Sequence, residues 1–163
     1  MLGEIDLPLG VVSSINGSVR YVGEVIGMAS HAGTTPMDRR RDAAVAVGEP
    51  AQYVEKRAAS VPDVVGTIGM LQVPNGSINV VPGRCRFSLD LRATTNAARD
   101  TLAADVVAEL ERICAERGLA YTLERTLAAD AAPSAPAWQQ RWEAAVTPLG
   151  LPVFTLPSGA GHD

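Results

Sequence analysis

Between Arg84 and Arg92 the chain alternates without a break. Cys85, Phe87, Leu89 and Leu91 fall on one parity, and Arg84, Arg86, Ser88, Asp90 and Arg92 on the other. A period of two predicts a strand with one buried and one polar face, so Arg92 projects from the polar side. The other elements arrange themselves around this strand. Residues 8–15 read as a short strand, and residues 19–28, rich in Val, Tyr and Ile, as a second. Asn16-Gly17 between them predicts a turn. Asp38, with Pro36 ahead of it, predicts the N-cap of a helix over residues 39–58, with Val45, Val47, Tyr53 and Val54 as its apolar face. Within that helix Gly48-Glu49-Pro50 predicts a kink or break near Glu49, because proline removes a backbone bond and clashes with the preceding turn, at about 3 kcal/mol.

Pro62-Asp63 opens a strand over residues 64–73, and Asn75-Gly76 turns the chain back. Thr95 or Asn96 caps a second helix that carries Leu102, Val106, Leu110 and Ile113 on one stripe and stops at Gly118. A last strand over residues 120–127 puts Tyr121, Leu123 and Leu127 on a shared face. The order is βαββαβ. It predicts an α+β, ferredoxin-like fold: a four-stranded antiparallel sheet with two helices on one face and a polar face left open. Residues 130–136, rich in Ala and Pro, read as a linker, followed by a helix over 138–149 and a short strand over 152–156.

The 163 residues make about one domain, and 47% of them are hydrophobic, enough for a core of mostly small aliphatic side chains. A net charge of −4 gives no reason to expect nucleic-acid binding. No apolar run approaches a membrane span, and the N-terminus lacks the basic and apolar regions of a signal peptide. Cys85 and Cys114 lie far apart and form no CxxC pair. They read as small buried hydrophobes in a reducing, cytoplasmic protein, with a disulfide or a reactive thiol as the less favoured alternatives.

Chemistry concentrates where the second strand ends. His31-Ala32-Gly33-Thr34-Thr35-Pro36-Met37 and Arg41-Asp42-Ala43 are followed, in order, by Asn79-Val80-Val81-Pro82-Gly83, Leu89-Asp90-Leu91-Arg92 and Leu156-Pro157-Ser158-Gly159-Ala160-Gly161-His162-Asp163. This series resembles the hydantoinase/carbamoylase branch of the M20 peptidase superfamily. Its members are zinc-dependent amidohydrolases that cleave N-carbamoyl amino acids, allantoate and related ureido acids.

The resemblance implies that residues 20–129 are the lid and dimerisation domain. Residues 1–19 would be the end of a catalytic α/β segment, and residues 130–163 the linker and return into it. The chain then reads as a piece cut from a longer enzyme, and Met1 need not be a native start. His31 corresponds to a histidine that reaches from one subunit's lid into the partner's active site and stabilises an oxyanion. Asn79, Arg92 and His162 correspond to substrate-binding positions, with a small-molecule ureido acid as substrate. Arginine's planar fork suits a substrate carboxylate. The zinc, or another divalent metal, belongs to the whole enzyme. Its ligands come from segments outside this chain, so no metal is expected here.

Taken alone, each residue has a plainer reading. His31 is a histidine at a strand end, Asn79 a turn residue, Arg92 a solvated strand end, and Arg39-Arg40-Arg41 a solvated face, an anion-attracting patch or a cluster pairing across a dimer. Asp42 and Asp90 read as helix-capping and salt-bridging groups. Two alternatives stand beside the carbamoylase reading. One is the lid of an M20-type aminoacylase or peptidase. The other is a stand-alone ferredoxin-like dimerisation or binding module without catalysis.

Overall fold

A computed structural model describes residues 2–161. Its strands are β1 (Val11–Ile15), β2 (Gly17–Ile26), β3 (Ser30–His31), β4 (Val64–Thr67), β5 (Leu71–Gln72), β6 (Val80–Val81), β7 (Arg84–Ala93), β8 (Ala120–Ala129), β9 (Ala132–Pro133) and β10 (Thr155–Ser158). Its α-helices are α1 (Ala43–Ala59), α2 (Asn96–Arg117) and α3 (Pro136–Val146).

The alternation in β7 sets the layers. Cys85, Phe87, Leu89 and Leu91 are all buried, and Val47 and Val54 of α1 join Leu102, Val106, Leu110 and Ile113 of α2 in the same core. The antiparallel sheet has the order β4-β7-β2-β8, and β5 extends the β4 edge of β7. This is the expected α+β, ferredoxin-like arrangement, with both helices on one face. The α2 limits also follow the reading: the Thr95 hydroxyl accepts from Ala98 N–H at 3.2 Å, and Gly118 closes the helix at φ +64°.

Five local expectations are corrected. Asn16-Gly17 is not a hairpin turn. It is a crossing, because β1 pairs with β10 and β9 in a second, small sheet while β2 pairs with β7 and β8. The strand expected over residues 64–73 is split. Thr67 faces Asp90 but Leu71 faces Phe87, so one extra residue bulges out between β4 and β5.

The first helix starts later than expected. Asp38 sits in a 3-10 turn (Met37–Arg39), whereas the Asp42 carboxylate accepts from Ala44 N–H at 2.9 Å and Val45 N–H at 3.1 Å and caps α1. That helix runs unbroken through Pro50, which is buried beside the core. Proline removes one hydrogen bond there, while apolar burial and the Glu49–Arg117 ion pair to α2 hold both sides of it.

Finally, Leu127 does not share a face with Tyr121 and Leu123. The β2–β8 register slips between Arg20 and Tyr21, so Arg125 faces Tyr21 while Leu127 faces Arg20 on the open side.

The strand end at Gly27 is packed tightly. A Cβ built there would lie 2.0 Å from the Arg41 carbonyl oxygen. Gly27→Ala should therefore push apart the β2 end and the chain entering α1, destabilising the protein by about 1–3 kcal/mol in denaturant unfolding.

Candidate functional site

Beyond the Ile26 and Arg84 ends of β2 and β7, β3 and β6 form a two-residue ladder, Ser30 facing Val81 and His31 facing Val80. Ala32 N–H donates to the Asn79 carbonyl at 2.9 Å, which brings the two motif loops together. The turn after His31 folds back on it. Thr34 and Thr35 N–H donate to the His31 carbonyl at 3.3 and 3.1 Å, and Gly33 N–H donates to His31 Nδ1 at 3.0 Å. A neutral imidazole whose Nδ1 accepts carries its proton on Nε2, so the exposed ring presents Nε2–H as a donor. Asn79 is exposed beside it, and its Oδ1 accepts from the Ser77 hydroxyl at 3.0 Å, leaving the amide N–H groups as donors. Ile78 between them is fully exposed.

Arg92 lies at the other end of β7, on the open face. Its Nε and Nη2 donate to the two Asp90 carboxylate oxygens at 2.8 Å each, and Nη1 donates to the Gly159 carbonyl at 2.9 Å. Arg20 Nε adds a further hydrogen bond to Asp90 at 3.0 Å. Three Arg92 donors are thus engaged and two remain. The hydrogen bonds from Arg92 hold the Asp90 carboxyl below the usual carboxylate range; desolvation works against them, and the charges of Arg92 and Arg20 add to them. A second group repeats the ratio of two arginines to one acid, with Arg84 and Arg86 on Glu24. The open face carries Arg20, Arg84, Arg86 and Arg92 against Glu24, Asp90 and Glu124, and it forms a hollow bordered by Arg20, Thr67, Asp90, Arg92, Thr126 and Gly159.

The structure brings His31 and Asn79 together but not Arg92. Eight residue steps along β7 lead from Arg84 to Arg92, roughly 26 Å at the usual strand rise. His162 lies outside the described residues. Asp42 and Asp90 have the capping and ion-pairing roles read from the sequence. Arg40 is different from the solvated residue expected: it is half-buried and turned onto the His31 loop, while Arg39 and Arg41 are exposed. Its place just before the Asp42 cap was the only local signal.

Residues 13–118 match the family model described as a peptidase dimerisation domain. The chain belongs to this peptidase dimerisation-domain family. It is 38% identical, over 100% of its length, to an N-carbamoyl-L-amino acid amidohydrolase of Geobacillus stearothermophilus, and 32% identical, over 95%, to an allantoate amidohydrolase of Bacillus subtilis. A solved amidase of the hydantoinase/carbamoylase family from Burkholderia multivorans superposes with a TM-score of 0.96 at 33% identity over 99% of the chain. The chain spans 38–40% of the length of these three proteins.

Among the described residues no group of three or more His, Cys, Asp or Glu side chains is placed to hold a metal ion, whereas a catalytic zinc needs about three such ligands.

The Asp90 cluster has a pH signature. A carboxylate with a depressed folded pKa contributes stability above its unfolded pKa of about 4, and loses it as the pH falls through the folded value. Asp90→Asn should lower the urea midpoint at neutral pH and flatten its acid dependence below about pH 4, as read by unfolding curves at both ends of that range.

Proposed function

We propose that the chain is the dimerisation and substrate-binding part of a divalent-metal-dependent hydrolase that cleaves linear C–N amide bonds of N-carbamoyl amino acids, allantoate or similar ureido acids. The observation that carries this reading is the separation of the two polar groups. His31 and Asn79 sit at one end of the sheet and Arg92 at the other, too far apart for one small substrate to touch all three in a single chain. Two copies remove the difficulty. The sheet has edges at β8 and at β4/β5, and unpaired edges invite pairing with another chain. In a homodimer, His31 and Asn79 of one subunit act with Arg92 of the other.

The roles follow from the chemistry. Nε2–H of His31 donates to the oxygen that gains negative charge as the ureido or amide carbon is attacked. The Asn79 amide N–H groups bind the substrate's polar end. Arg92, held rigidly by Asp90 and Gly159, offers its two remaining donors to the substrate carboxylate. His162 adds a further substrate contact. The metal ligands come from parts of the enzyme outside this chain. The pieces that join the domain to that part are residues 1–19 and 130–163; the small β10-β1-β9 sheet drawn from them supports this division, while β2, from Gly17 on, already belongs to the domain's own sheet.

A cytoplasmic setting fits two buried, free cysteines whose thiol pKa values are raised by desolvation. No helix of the described residues is long and apolar enough to cross a membrane.

The test uses a protein that joins this chain to its catalytic segments. His31→Ala should lower kcat by about 10²–10³ with the metal retained. Mixing His31→Ala subunits with subunits lacking a metal ligand should restore activity through heterodimers that hold one intact composite site. Full subunit exchange without recovered turnover overturns the arrangement in trans. For Arg92→Lys, which loses the planar fork, KM for a carboxylate substrate should rise about tenfold or more, with kcat changed less. An unchanged KM removes Arg92 from the substrate site.

A further inference from the structure

Arg40 stands apart from its two neighbours in the arginine cluster. Arg39 and Arg41 are exposed, whereas Arg40 is half-buried and reaches back over the turn that follows His31. Its Nε donates to the Thr35 carbonyl at 3.1 Å and its Nη2 to the Ala32 carbonyl at 2.5 Å. These two carbonyls bracket Gly33, whose N–H donates to His31 Nδ1. The other bonds of the turn, from Thr34 and Thr35 N–H, end on the His31 carbonyl and leave the imidazole untouched. Ala32 is also tied to the Asn79 loop through its N–H.

We infer that Arg40 is a positioning residue for His31: its guanidinium clamps the Ala32 and Thr35 carbonyls, so that Gly33 N–H stays on Nδ1 and the ring keeps its proton on Nε2. The inference rests on the reading of His31 as an oxyanion donor. The physical reason lies in the turn itself. Gly33 is exposed, and a Cβ built on it would meet only the His31 ring. Glycine has wide conformational freedom, so this peptide can rotate unless its flanks are held. A planar guanidinium grips two acceptors at a fixed spacing, which fixes both flanks at once. If the peptide rotates, Nδ1 loses its donor, and the ring is free to turn and to exchange tautomers. The same clamp keeps Ala32 on Asn79, so the two donors of this half-site hold their spacing.

The test is nuclear magnetic resonance on the 15N-labelled chain, which needs no turnover. The chain has two histidines, so the ring signals are few. In the parent protein the Gly33 amide should be rigid, with an order parameter of about 0.85. The 15N shifts of the His31 ring should show the tautomer with the proton on Nε2 and Nδ1 as the acceptor. Arg40→Ala should drop the Gly33 order parameter below about 0.6 and let the His31 ring exchange between its two neutral tautomers, while core amides such as Leu89 and Leu110 stay rigid. Arg40→Lys keeps the charge without the fork and should show the same loosening of Gly33 and the same tautomer exchange. It carries the test if the alanine variant fails to fold. A Gly33 amide that stays rigid in Arg40→Lys, beside a His31 ring still held with its proton on Nε2, overturns the inference. Failure of the His31 reading looks different: full turnover in His31→Ala, whatever Gly33 does.

Discussion

Burial of one face of β7 is the constraint from which the rest follows. Cys85, Phe87, Leu89 and Leu91 are at most 2% exposed, packed under α1 and α2. Each apolar side chain taken fully out of water contributes about 1.5–3 kcal/mol, so the register of this strand is strongly specified. The period of two then leaves no choice for the residues between them. Arg84, Arg86, Asp90 and Arg92 must stand on the opposite face, and β2 supplies Arg20 and Glu24 across from them. The row of arginines on the open face is thus a by-product of core packing.

Strand length does the second job. The ten residues of β7 pair along their full length with the ten of β2, and each end of that pair leads to a different structure. At the Ile26 and Arg84 end lie the His31 and Asn79 loops. At the Gly17 and Ala93 end lie Arg92, Gly159 and the small second sheet. A rigid paired ribbon keeps these apart. In the proposed arrangement the two ends meet through a second copy of the chain, in keeping with a family described as a dimerisation domain.

The charged groups divide into those that build and those that remain available. Asp42 serves the start of α1 and Asp90 serves Arg92; neither is left for a metal. Arg99 is buried at 7% exposure and donates to the Ala129 carbonyl at 2.6 Å. It thereby secures the end of β8 where the chain leaves the sheet. His31 and Asn79, by contrast, keep their donors exposed while their acceptors are satisfied locally.

Much of this was legible in the chain itself. The alternation of β7, the stripe of α2 with its Thr95 cap and Gly118 stop, and the βαββαβ order all rest on local periodicity and on short-range hydrogen bonds. Other features depended on partners distant in sequence. Asn16-Gly17 reads as a turn until β1 and β2 are seen in different sheets, because a dipeptide does not know which strands flank it. The slip that carries Leu127 to the open face is a property of the β2–β8 pairing, not of β8. Pro50 stays helical because the α1–α2 packing outweighs one missing bond. The inward turn of Arg40 and the distance between His31 and Arg92 were decided by tertiary structure for the same reason. Periodicity reports which face a residue takes, and only the folded chain sets which groups share that face and how far apart they lie.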